Sequence, residues 1–181
     1  IGATWTLGSA LNNGSSGFTV TYGSFNTSAS NYAVTAASIN SSNTNIRSIA
    51  FNGSTLTFSS GSVFFTTSTN LTFNAGTSTI NHGGGGFSFA GGGNTFYNVD
   101  YITSSVNTTN GITGANTFNR LSFPSTTSAG CTIVSFTADQ IIGTLTLTAG
   151  ASAACRVLIS SGTIGTQRTL SVETLTAGAA D

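Results

Sequence analysis

The chain has 181 residues, with four arginines, four acids and no lysine, so its formal net charge is zero. Only 4% of its residues are charged, against roughly a quarter in an average soluble domain. That scarcity argues against a nucleic-acid partner or an anionic membrane, both of which need clustered Lys and Arg. No run approaches ~18 consecutive apolar residues, so no membrane-spanning helix is expected.

Gly, Ser, Thr and Asn dominate, a bias that disordered chains share. Disordered chains, however, lack aromatic and β-branched residues and carry net charge. Here 13 Phe, 4 Tyr and Trp5 stand among many Val, Ile and Thr, enough to bury a core. Those residues favour strands, while helix formers are scarce. The expectation is all-β.

In chain order, short runs alternate apolar with hydroxyl residues: Thr55-Leu56-Thr57-Phe58, Leu71-Thr72-Phe73, Phe87-Ser88-Phe89, Gly143-Thr144-Leu145-Thr146-Leu147-Thr148 and Thr174-Leu175-Thr176. Period two places Leu and Phe on one face of a strand and Thr or Ser on the other. The runs stop at small residues followed by Gly61, Gly76, Gly91, Gly150 and Gly178, as sharp corners require. Asn26, Asn40, Asn45, Asn74 and Asn94 fall near the expected corners, where Asn tolerates left-handed geometry.

Repetition decides the fold class. Gly61, Gly76 and Gly91 lie 15 residues apart. Further on, Asn94-Thr95-Phe96-Tyr97-Asn98-Val99 is echoed 22 residues later by Asn116-Thr117-Phe118-Asn119-Arg120-Leu121. Ala129-Gly130-Cys131-Thr132-Ile133-Val134 is echoed 24 residues later by Ala153-Ala154-Cys155-Arg156-Val157-Leu158. Such units fit a parallel β-solenoid with rungs of roughly 22–24 residues. A β-sandwich, the rival, usually offers hairpin signals and a charged outer face. Residues 1–93 read as a Gly/Asn/Ser-rich β region with irregular rungs or as a separate β module. Residues 94–181 read as solenoid repeats continuing past Asp181. A start at Ile1 and an end without a cap read as an excerpt of a longer polypeptide.

The second echo sets Cys131 and Cys155 in equivalent positions one rung apart, within disulfide range. Stacked side chains in one column point the same way, so two buried thiols remain the alternative. With His82 distant from both, no zinc ligand set forms. The run His82-Gly83-Gly84-Gly85-Gly86 lacks the Lys-Ser/Thr of a phosphate loop. It also has Ser88 where a calcium-binding glycine repeat needs an acid, and reads as a turning loop. Asp100, Asp139 and Glu173 are not spaced as paired carboxylates on successive rungs, and no Lys accompanies them. No catalytic residue, cofactor or metal is therefore expected. The Thr-x-Thr patches do not recur at one spacing, so strand propensity explains them better than ice binding.

The echoed phrases at 94–99 and 116–121, with Gly143-Thr144-Leu145-Thr146-Leu147, resemble repeats in β-solenoid proteins of tailed-bacteriophage virions and in large secreted bacterial adhesins. The segment Gly162-Thr163-Ile164-Gly165-Thr166-Gln167-Arg168-Thr169-Leu170 is similar to the phage versions. The resemblance runs from about residue 94 to the end. It implies a tail fibre, tailspike or other virion appendage, a homo-oligomer with a trimer favoured, other virion proteins as neighbours, and contact with host-surface glycans. A virion location is then expected, with an extracellular or cell-surface one as the alternative. On this reading the chain is a structural and adhesive segment, with Tyr97 and Tyr101 as glycan-contact aromatics. The alternatives are a bacterial adhesin, a self-assembling extracellular filament subunit, and a polysaccharide-degrading β-helix enzyme.

Overall fold

A computed structural model describes residues 2–83, 88–102, 108–123, 132–148 and 157–178. The first coil holds β1 (Thr4–Thr6), β2 (Leu11–Asn12) and β3 (Phe18–Thr19). Next come β4 (Gly23–Asn26) with β5 (Val34–Asn40), then β6 (Arg47–Ala50) with β7 (Thr55–Phe64). They are followed by β8 (Leu71–Asn74), β9 (Thr79–His82) and β10 (Ser88–Ala90), then by β11 (Thr95–Tyr101) and β12 (Thr108–Thr113). The chain continues through β13 (Thr117–Phe123), β14 (Thr132–Phe136), β15 (Gln140–Leu147), β16 (Val157–Ser161) and β17 (Leu170–Ala177). Among the described residues no helix is long and apolar enough to cross a membrane.

Every ladder between these strands is parallel, and strands pair with their counterparts in neighbouring coils. The protein is a parallel β-solenoid. Three faces run along its axis. The first is β1-β4-β6-β8. The second begins with β2 and the starts of β5 and β7 and continues through β9, β11, β13, β15 and β17. The third passes from β3 and the ends of β5 and β7 through β10, β12, β14 and β16. The ladders are continuous across residue 93, since β9 pairs with β11 and β10 with β12.

Period-two alternation turns one side of each face inward, and equal side chains stack along the axis. Val34, Leu56, Ile80, Val99, Leu121 and Leu145 form one buried column. Ile39, Val63, Phe89, Ile112 and Phe136 form another. Fully burying one such side chain contributes about 1.5–3 kcal/mol. Outward positions carry Thr, Ser and Asn, which hydrate without formal charge.

Corners are closed by side-chain amides. Asn26, Asn40 and Asn74 each accept a hydrogen bond at Oδ1 from the backbone N–H two residues on, at 2.7, 2.9 and 2.9 Å. The left-handed positions expected at these asparagines fall instead on Asn31, Asn52 and Asn70. The strand-end residues cap their turns through the side chain, and in the turns after Asn26 and Asn74 the positive φ falls on Ser28 and Asn31 and on Gly76. Where the third face returns to the first, an inward polar side chain satisfies the corner carbonyls. Asn94 Nδ2 donates to Gly91 O, Asn116 Nδ2 to Thr113 O and Gly114 O, and Gln140 Nε2 to Gly114 O and Ala138 O.

The 22-residue echo is the register of β11 on β13, with Thr95 beside Thr117 and Phe96 beside Phe118. The other two spacings need correction. In β14 and β16, Thr132 pairs with Val157 and Ile133 with Leu158, a step of 25 rather than 24. Adjacent apolar pairs in both segments accept either register, and a slip of one reverses which faces inward. The 15-residue glycine spacing is not a rung. Gly61 lies within β7, Gly76 at the first-to-second corner and Gly91 at the third-to-first corner.

Candidate functional site

The first-to-second corner changes character along the axis, and that change makes a groove. As far as β8 the two faces are separate strands joined by connectors, the last of them 75–78. From β11 onward they fuse into one strand. In each fused strand a single residue at the corner is left out of the ladder. Phe96 pairs with Phe118 and Asn98 with Arg120, skipping Tyr97 and Asn119. The same gap skips Gly143 and then Glu173. Tyr97, Asn119, Gly143 and Glu173 therefore follow one another along the axis, one per rung.

Beside this line lies an open groove of about 440 Å³. Phe73, Phe96, Phe118 and Ile141 supply its apolar lining. Phe73 and Phe96 meet with ring centroids 5.0 Å apart, and Phe96 stacks on Phe118 at 5.8 Å. Asn74, Thr95, Thr117 and Asn119 add polar groups. Asn119 is held in place, its Nδ2 donating to Asn98 Oδ1 at 3.2 Å. Gly143 is required by close approach: a Cβ there would stand 2.8 Å from Asn119 O. Tyr97 is 37% exposed and Ile141 58%.

Of the two tyrosines expected to face solvent, only Tyr97 does. Tyr101 is a correction: it is 2% exposed, stacked on His82 and tilted against Phe123 in the core. Simple alternation over four residues would place both on one side. The corner breaks the alternation, because Tyr97 and Asn98 both point away from the core while Phe96 and Val99 are buried. Burial raises the Tyr101 phenol well above its ordinary pKa. His82 is fully buried, and desolvation lowers its pKa from 6.5 to about 4. It is a core residue of the second face, and Gly84, Gly85 and Gly86 after it lie outside the described residues. Cys131 and Cys155 also lie outside them.

The acids are dispersed. Asp100 receives a forked pair of hydrogen bonds from Arg120 Nε and Nη2, the first at 3.1 Å. Asp139 Oδ1 accepts from the backbone N–H of Thr169 at 2.9 Å. Among the described residues, Glu173 is the one formal charge lining the groove. No group of three or more His, Cys, Asp or Glu that could hold a metal occurs among the described residues. Sequence reasoning passed over Asn119, Gly143 and Ile141 as site residues, and weighed Glu173 only as a catalytic carboxylate. The 22-residue echo already aligned Tyr97 with Asn119, and that alignment was the available signal. Compared with protein families, curated proteins and solved structures, the chain matches none.

Proposed function

We propose that the chain is a structural and adhesive segment of a virion appendage, a tail fibre or spike, and that the axial groove is its contact with host-surface glycans. The observation that carries the adhesive part is Tyr97, an exposed ring held at a corner of continuous parallel ladders, beside polar amides and hydroxyls. An aromatic face with hydrogen-bonding neighbours on a rigid scaffold suits an uncharged sugar, because little ordering is needed on binding. Groove and rungs share one axis, so an extended chain of sugars can lie along several rungs. The virion part is supported by the likeness of the repeats at 94–99 and 116–121 to phage solenoids, which also favours a homotrimer.

A glycan array probed with the labelled protein tests the adhesive reading. Retention of a defined set of surface glycans is expected, and no retention of any glycan contradicts it. Proteomic detection of the chain in purified phage particles tests the location. Detection in a bacterial surface fraction instead favours the adhesin alternative. The filament alternative draws on the parallel ladders themselves, which extend from coil to coil by backbone pairing. Concentration-dependent end-to-end growth under the electron microscope is its signature.

A further inference from the structure

We infer that the groove discriminates by charge, favouring glycans that carry free amines over N-acetylated ones and disfavouring acidic ones; this deepens the adhesive reading and rests on it. Three observations lead there. Among the described residues of the lining, Glu173 is the only ionisable acid or base apart from the Tyr97 phenol, so this lining offers a negative end and no cation to match an acidic sugar. Arg120, the neighbouring cation on the second face, is engaged by Asp100 in a forked pair. Tyr97 and Glu173 lie on one axial line, three rung steps apart. At ~4.8 Å per step this is roughly 14 Å, a span that an oligosaccharide bridges.

The ring at one end then takes the apolar face of a sugar, while the carboxylate at the other takes an ammonium group. Gly143, between Asn119 and Glu173, keeps the path between them free of a side chain. Ile141 beside it lowers the local polarity. Glu173 is exposed, so its contribution is that of a solvent-screened pair. The expected preference is about two- to fivefold, and it shrinks as salt rises.

Calorimetric titration with three tetrasaccharides tests this: a glucosamine oligomer, its fully N-acetylated counterpart and an oligogalacturonate. The titrations are run at about pH 6, where the amine of the glucosamine oligomer carries a proton. The wild-type chain is expected to bind the glucosamine oligomer about two- to fivefold more tightly than the acetylated one, and the acidic one most weakly. Glu173→Gln is expected to equalise the first two while keeping the acetylated affinity. Tyr97→Ala is expected to weaken both. Equal wild-type affinities, or a preference that survives in Glu173→Gln, overturn the inference and leave the adhesive reading standing. Failure of all three to bind overturns both.

Discussion

The imidazole of His82 lies on the phenol ring of Tyr101, with centroids 5.2 Å apart and planes within 19°. Phe89 meets the imidazole edge-on at 5.7 Å. This packing keeps His82 neutral, with its pKa lowered from 6.5 to about 4 by burial. As pH falls below ~6.5, the unfolded chain binds a proton that the folded chain refuses until about pH 4. Stability is therefore fully present above pH ~6.5, declines through this window and levels off below it, with a total loss of about 3 kcal/mol from this residue. Urea melts across the window check it. His82→Phe, which keeps an aromatic ring in the column, is expected to remove that decline.

Arg47 is 2% exposed and pairs with no carboxylate in the described structure. Its guanidinium instead donates to the backbone carbonyls of Ser41, Asn45, Thr67 and Thr69. These carbonyls belong to the third-to-first corners of adjacent coils, so one side chain ties two corners together. Arg47→Ala leaves several buried carbonyls without partners and is expected to cost about 3–5 kcal/mol. Arg47→Lys is expected to recover little, because an ammonium cannot reproduce the planar fork. Thermal melts of both variants measure the difference.

Arg120 makes the opposite prediction. Its ion pair with Asp100 is 39% exposed on the arginine side, where solvent screens the attraction. Arg120→Gln is expected to change stability by less than about 1 kcal/mol, with a smaller effect still at high salt. A shift as large as that of Arg47→Ala would show that the outer face contributes more than burial predicts.

Gly143 couples the fold to the groove. A Cβ there meets Asn119 O at 2.8 Å, so adjacent rungs must part to admit it. Gly143→Val is expected to destabilise the protein by about 1–3 kcal/mol and to weaken glycan binding by obstructing the axial path. Gly165→Ala, at a positive-φ position with open space around it, serves as a control that strains the backbone without touching the groove.

How much of this was legible beforehand differs from residue to residue. Asn94 and Asn116 begin matching phrases because each closes the same corner ahead of an inward Phe, so the 22-residue rung could be read directly. Tyr101 could not be placed, because the corner at Tyr97 and Asn98 sets two outward residues in succession and alternation fails there. The register of β14 on β16 was ambiguous by one, since Ile133-Val134 and Val157-Leu158 match at either offset. Arg47 appeared as one of four scattered cations, and nothing in its neighbours announces a buried fork to carbonyls. Glu173 joins the groove through a rung step of 30 from Gly143, a spacing with no echo to reveal it.

The most direct test of the groove's role is the glycan affinity of Tyr97→Ala against that of Tyr101→Phe, measured with the tightest-binding array glycan. On the proposed reading the exposed ring is the contact, whereas the buried one belongs to the core. Tyr97→Ala is therefore expected to lose at least about tenfold in affinity with its melting temperature nearly unchanged, while Tyr101→Phe keeps its affinity. Wild-type affinity in Tyr97→Ala would contradict the account.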